Sequence, residues 1–381
     1  MDFGFSLEQE MLRASARKLL DAHCPPELPR AMLADATAHD AALWRRLSGL
    51  GLTGVLLPAE HGGQGGTLLD LVLVLEEMGK ALVPGPYFAS TVLGGLTVAR
   101  GGSPEQRAAM LPALANGERR AALVLAVAHG PERPSVQLRA ESAGDTYRLR
   151  GNVPFVMDAH VADTLIVPAA TGDGPTLFAL TADTAGVAVT QLRTVDMTRR
   201  LCAVALDATV PATAVLGRPG EAAPALEHAV RHATVGLAVE ALGVAQRALD
   251  LSVAYAKERT QFGRPIGSFQ AVKHKCVDMM VGIETARSLA YYAAWAVTED
   301  AADAASSVAM AKAYASDVAV TVTSEAIQVH GGIGFTWEHD IHLYHRRALA
   351  TSAAFGSPVA QRETVATMLP ILQATSAGGT T

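Results

Sequence analysis

The feature that most constrains this chain is a change of hydrophobic period that happens twice. Helical spacing runs from Ser6 to about residue 120, strand-like alternation fills residues 121–217, and helical spacing returns from about residue 221 onward. The last stretch is the most demanding. Three Ala-rich amphipathic segments, about residues 222–258, 268–299 and 304–329, can bury their apolar faces only by packing side by side, which predicts a helical bundle. Two shorter helices are expected at about 342–354 and 358–374, the second opened by Ser357-Pro358 as an N-cap with proline in the first helical position. The small polar tail from Ser376 to Thr381 reads as frayed.

The first third opens on Ser6 and Gln9, a capping box, followed by an apolar stripe of Met11, Leu12, Leu19 and Leu20. Pro25, Pro26 and Pro29 stop that helix. Further helices are expected at about 40–50, 68–81, 87–100 and 104–115, with the turn His61-Gly62-Gly63-Gln64-Gly65-Gly66 between them. In the middle third, Thr146-Tyr147-Arg148-Leu149-Arg150 alternates with period two. Short apolar runs at 164–167, 176–180 and 202–206 lie between turn residues. Pro131, Pro134, Pro168, Pro175 and Pro211 argue against a long helix there. The expectation is an α+β chain, mainly α, with a helical domain at 1–120, a β domain at 121–217 and a helical bundle domain at 218–381.

Composition narrows the function. Among 381 residues, 31 Lys and Arg face 37 Asp and Glu, for a formal charge of -6, so no basic field exists to attract nucleic acid. Half of the residues are hydrophobic, which excludes a disordered polymer. Cys24, Cys202 and Cys276 are far apart and form no CxxC pair, so neither a disulfide framework nor a zinc site is expected. Asp2 and Glu8 stand where a signal peptide needs basic and apolar residues, and the longest greasy runs end well short of a membrane span. A cytoplasmic location is the expectation.

Two segments offer chemistry. Glu258-Arg259-Thr260-Gln261-Phe262-Gly263-Arg264-Pro265-Ile266-Gly267-Ser268-Phe269-Gln270 joins two long helices and combines a fixed cation, amides and an aromatic face. That set suits a phosphorylated planar cofactor, and it equally suits an ordinary helix-to-helix turn. Gln328-Val329-His330-Gly331-Gly332-Ile333-Gly334-Phe335 offers glycines that let backbone approach a phosphate, or simply a helix C-cap and turn. It is not a GxGxxG after a strand, so a Rossmann reading fails. His339, His342 and His345, with Glu338 and Asp340, suit a solvated helix face or interface better than a metal site. No nucleophile elbow, Walker loop or HExxH is present.

Together and in order, four motifs resemble the acyl-CoA dehydrogenase family of flavoproteins over nearly the whole chain. They are the early helix, Leu57-Pro58-Ala59-Glu60-His61-Gly62-Gly63 with Leu75-Glu76-Glu77-Met78-Gly79, the Arg-x-Gln-Phe-Gly-x-Pro-Ile loop ending in Gln270, and Gln328 through Phe335. The resemblance implies an N-terminal helical domain, a middle β domain and a C-terminal four-helix bundle. It implies FAD as cofactor and a homo- or hetero-oligomer built as a dimer of dimers. Arg259, Gln261, Phe262, Ile266 and Gln270 would contact FAD, partly across a subunit interface. Gln328, Gly331 and Gly332 would line its diphosphate or adenosine end from a neighbour. Phe155-Val156-Met157 stands for a Trp-x-Thr flavin contact, and Ser357 for a threonine touching FAD at a helix start. The implied reaction is α,β-dehydrogenation of an acyl-CoA thioester: a carboxylate takes the α-proton, the β-hydride goes to flavin N5, and an electron-transfer flavoprotein accepts the electrons.

Departures from the family pattern fall on the chemistry. The usual base, in a Glu-Gly-Thr segment, is Phe355 in Phe355-Gly356-Ser357. An alternative base position, ten residues before Gly243, is Ala233, and the arginine that commonly follows it is Thr234. Met157 lacks the hydroxyl that would bond the flavin, leaving only a backbone N–H. Val127-Ala128-His129-Gly130-Pro131 replaces the family's Thr-Glu-Pro segment. Glu240, two helical turns beyond Ala233, is the nearest carboxylate in phase, and a buried ion-paired role suits it better than that of a base. Two hypotheses follow: a self-sufficient dehydrogenase with its base elsewhere, or a base-lacking FAD-binding subunit paired with a catalytic homologue. Phe335-Thr336-Trp337-Glu338-His339-Asp340 resembles the steroid- and dicarboxylate-degrading branch, which has such heteromers.

Overall fold

A computed structural model describes residues 4–127 and 136–369. The first element, α1 (Leu7–His23), starts at the Ser6/Gln9 capping box, with both reciprocal hydrogen bonds formed. The prolines after it do more than stop it: Pro29 sits within a short helix α2 (Glu27–Met32). As the third residue of that helix it has no intrahelical acceptor to lose, so it is tolerated. Next come α3 (Ala41–Gly49) and α4 (Leu68–Lys80), where Asp70 completes a second capping box with Thr67.

The single helix expected over 87–100 is instead a π-helical segment, Phe88–Gly95, running into α5 (Leu96–Gly101). Period alone does not separate the two windings, because the segment is buried on all sides. Helix α6 (Pro104–Ala115) closes the N-terminal part.

The middle of the chain is one eight-stranded sheet: β1 (Ala121–Leu123), β2 (Leu138–Ala143), β3 (Thr146–Met157), β4 (Thr164–Thr171), β5 (Gly174–Thr181), β6 (Val187–Gln191), β7 (Leu201–Pro211) and β8 (Val215–Leu216). Its order is β6-β7-β3-β2-β4-β5-β8, with β1 paired in parallel to β4. On β7 buried and exposed residues alternate, as a one-sided sheet requires. The register of β3 against β7 slips between Val153 and Val156, a bulge that turns the end of β3 toward the helices.

The last third holds α7 (Ala223–Glu258), α8 (Gln270–Thr298), α9 (Ala304–His330), α10 (Ile341–Ala353) and α11 (Pro358–Met368). Helix α7 packs on α8, α9 and α10, and α9 carries α11 on its outer side. Helix α4 crosses α7 where both present glycine. A Cβ on Gly79 would lie 2.2 Å from the Glu240 carbonyl oxygen, and one on Gly243 would lie 2.0 Å from that of Glu76. The two backbones approach so closely only because neither position has a side chain. Among the described residues no helix is long and apolar enough to cross a membrane.

Candidate functional site

Two segments meet at one end of the bundle. Tyr255, in the last turn of α7, stacks on His330 at the end of α9, with ring centroids 4.7 Å apart. This contact sets the loop after α7 beside the turn after α9. The loop is a tight hairpin of β9 (Thr260–Gln261) and β10 (Arg264–Pro265). Its two central residues have positive φ, 51° at Phe262 and 74° at Gly263, as a two-residue hairpin turn demands. That geometry throws the Phe262 ring outward, where it is 91% exposed. Arg264 lies over the Phe269 ring at 4.2 Å, and the Ile266 N–H donates to the Arg259 carbonyl at 2.8 Å. Arg259, Gln261 and Gln270 are exposed and Ile266 is half-buried. The Arg259 guanidinium has no hydrogen-bond or ion-pair partner among the described residues.

The turn Gly331–Phe335 follows α9. A Cβ added to Gly331 or Gly332 would meet nothing within 4 Å, so both backbones face open space. Gln328 is exposed beside them. Arg30 of α2 pins the following segment by bonding Asp340 at 2.7 Å and the Trp337 carbonyl at 2.6 Å. The histidines disperse: His339 leans at a tilt against His330, His342 packs on Trp337, and His345 Nδ1 meets the Thr323 hydroxyl at 2.9 Å. No group of three His, Cys, Asp or Glu among the described residues is placed to hold a metal.

A second cluster forms where the sheet meets the bundle. Phe155, left-handed at φ 57°, is exposed at the end of β3, while Met157 is buried. The Val127 N–H donates to the Phe155 carbonyl at 3.2 Å, and the Phe355 N–H donates to the Val127 carbonyl at 2.6 Å. The end of β3 is thus tied to the turn between α10 and α11. Ser357 caps α11 by accepting the Ala360 N–H at 3.3 Å. Beside this turn lies a cleft of about 450 Å³ walled by Leu125, Leu226, Val230, Thr234, Val308 and Phe355, with Glu227 and Arg231 among its lining. Glu227, an exposed residue, is its one carboxylate among the described lining residues. Ala233 is fully buried, and the Thr234 hydroxyl donates to the Val230 carbonyl at 2.7 Å. The replaced segment from Ala128 to Ser135 lies outside the described residues.

Glu240 is not in that cleft. Its Oε1 accepts from Arg199 at 2.6 Å and from Arg347 at 2.7 Å. Arg347, wholly buried, also bonds Asp196 at 2.8 Å and the Thr198 hydroxyl at 2.6 Å. Burial pushes the Glu240 carboxyl up, yet the two guanidinium groups outweigh it and hold it below the ordinary value. Sequence reading named Glu240 as a buried, ion-paired residue but did not find Arg199, Arg347 and Asp196 around it, nor buried Asp158 and Lys312, because no local pattern announces their burial.

The end of β3 and the helical bundle frame one cleft, while a guanidinium without a partner among the described residues and open glycines stand at the bundle's end. The acyl-CoA dehydrogenase N-terminal domain matches residues 6–118 and the acyl-CoA dehydrogenase C-terminal domain residues 223–369. Acyl-CoA dehydrogenase IpdE2 of Mycolicibacterium smegmatis is 36% identical over 355 residues, covering 93% of this chain and 96% of that protein. Among solved structures, the ChsE4-ChsE5 complex from Mycobacterium tuberculosis aligns with a TM-score of 0.87 at 31% identity over 100% of both chains. Butyryl-CoA dehydrogenase from Megasphaera elsdenii aligns with a TM-score of 0.86 at 29% identity, over 96% of this chain and 99% of that one.

The chain belongs to the acyl-CoA dehydrogenase family. It is of the FAD-dependent oxidoreductase class that acts on acyl-CoA thioesters. The donor set fits that cofactor: an unpaired cation in Arg259, unobstructed backbone at Gly331 and Gly332, and an exposed aromatic face at Phe262.

Proposed function

We propose that this chain is the base-lacking, flavin-holding subunit of a heteromeric acyl-CoA dehydrogenase, completed by a homologous chain that carries the catalytic carboxylate. FAD, when bound, supplies the hydride acceptor for α,β-dehydrogenation. Arg259 would pair with its diphosphate, with the backbone of Gly331 and Gly332 and the amide of Gln328 beside it. Gln261, Phe262, Ile266 and Gln270 would present the hairpin to cofactor held at the interface with a neighbouring subunit. Phe155, the Met157 backbone N–H and Ser357 would border the ring where β3 meets the bundle. The aliphatic walls of the cleft exclude water from the thioester. Electrons would leave to an electron-transfer flavoprotein.

The observation that carries the reading is the chemistry of the crevice. A base for the α-proton must be within hydrogen-bond reach and free to accept. Phe355 and Ala233 have no basic atom, and Glu227, the one carboxylate among the cleft's described lining residues, is an exposed, solvated group at neither family base position. Glu240 is already engaged by two arginines and its proton affinity is lowered, which makes it a poor acceptor. Similarity to one chain of the ChsE4-ChsE5 complex supports a two-chain assembly.

Co-expression with a homologous chain bearing a glutamate at either base position tests the reading. The pair should purify together, yellow, and turn over acyl-CoA, whereas this chain alone should not. If the isolated chain is reduced by acyl-CoA, it is self-sufficient and the subunit reading is wrong.

A further inference from the structure

Helix α10 passes into the protein at buried Thr351, in its last turn, where the final carbonyls need partners from outside the helix. One side chain from another helix meets them. Lys312 of α9 is 0% exposed, and its Nζ lies 3.0 Å from the Thr351 carbonyl, 3.0 Å from the Ser352 carbonyl, 3.4 Å from the Gly356 carbonyl and 3.0 Å from the Ser316 hydroxyl. No carboxylate among the described residues bonds it, and the neighbouring Asp317 is paired with Arg362 instead. An ammonium buried without an anion is costly unless its protons are all used. Here three protons are offered to four oxygens, two of them carbonyls at the negative end of α10.

Beyond α10 the backbone makes a turn that residues other than glycine rarely adopt. Phe355 has φ 53° and Gly356 φ 101°. Three grips hold it: the Phe355 N–H on Val127, Gln361 Nε2 on the Phe355 carbonyl at 2.8 Å, and Lys312 on the Gly356 carbonyl. A left-handed phenylalanine is strained and persists only where its surroundings impose it. The turn sets the Phe355 ring in the cleft wall, places Ser357 as cap of α11, and joins the end of β3 through Val127.

We propose that Lys312 is a positioning residue of the flavin crevice: its buried ammonium caps α10 and fixes the left-handed turn that sets Phe355 and Ser357 against the end of β3. The role in flavin retention rests on the reading that FAD occupies that crevice; the role in the turn does not. Lys312 acts through backbone carbonyls and touches neither substrate nor cofactor.

Two substitutions test it in the assembled protein. Lys312→Met keeps the length and removes every donor. Because it leaves the Thr351, Ser352 and Gly356 carbonyls without this donor, some fall in melting temperature is expected with it. Losing these bonds should speed amide exchange at residues 354–357 about tenfold and loosen flavin about tenfold, while exchange elsewhere in α9 stays as it was. Lys312→Gln retains amide donors in the same channel and should fall between the two. Should the methionine variant not fold, the glutamine variant decides alone.

A folded variant with unchanged exchange at the turn and unchanged flavin retention overturns the proposal. So does a general fall in stability that does not single out 354–357, the signature of a merely structural lysine. An unaltered assembly that takes up no flavin defeats the cofactor reading, and exchange at the turn still decides the role of Lys312.

Discussion

At the scale of single residues, what decides the chemistry is which charges are spoken for. Glu240 is held by two arginines, whereas Asp158 beside it is not. Asp158 is buried, its Oδ2 has no hydrogen-bond partner among the described residues, and burial raises its carboxyl to about 7 despite Arg199 and Arg347 nearby. With a folded value above the unfolded one, this group's contribution to stability is full below the unfolded aspartate value and is lost as pH rises toward about 7. Asparagine keeps the shape, tolerates the left-handed backbone at φ 46° and never ionises. Asp158→Asn should therefore gain on the unaltered protein by about 1–3 kcal/mol between pH 4.5 and pH 8. Denaturant melts at the two pH values measure this, and a stability difference that is the same at both refutes it. Nothing in the sequence marked Asp158, because its burial comes from the sheet-to-bundle contact and not from its own strand. The Arg259 hairpin was legible, since a turn with exposed Phe and Arg between long helices carries its own signal.

At the scale of elements, the motifs readable in the sequence are largely helix crossings. The glycine ending Glu76-Glu77-Met78-Gly79 and Gly243 on α7 look unrelated along the chain, yet they are the two halves of one close approach. Caps and long periodic segments were legible for the same local reason: Ser6, Ser357 and the apolar stripes act within one turn of themselves. Strands β1, β2 and β6 were not, being short or exposed and held by partners distant in sequence. Nor was the π-helical winding. The crossing makes a firm prediction. A methyl at position 243 would overlap the Glu76 carbonyl, so Gly243→Ala should destabilise by about 1–3 kcal/mol, although alanine is the better helix former by about 1 kcal/mol. Calorimetry measures the net effect, and a stabilised variant would show that α4 and α7 do not approach as described.

At the scale of the whole molecule, three stretches of sequence share two hydrophobic cores. One is the interior of the sheet, from Ala122 to Val215. The other runs without a break from Ala16 and Leu20 through Leu71 and Leu75 to Leu237, Ile283 and Phe355, so the helices before the sheet and those after it bury one another. Charges repeat the pattern. Glu76 of α4, wholly buried, bonds Arg287 of α8 at 2.7 Å, and Glu77 is gripped by Arg17 of α1 at 2.8 Å. Deleting residues 1–120 would strip α7 of one of its main packing partners and expose the apolar surface that α1 and α4 cover. A chain beginning at Ala121 should therefore keep helical circular dichroism at most as a loose state, with no sharp near-ultraviolet signal, dye-binding apolar surface and no cooperative melt. If that truncated chain instead melted sharply and stayed monodisperse, the bundle would have to own a core that α4 does not complete. The distances at Gly79 and Gly243 argue against that, because helices in such contact lose their packing partner along the whole crossing and not at one residue.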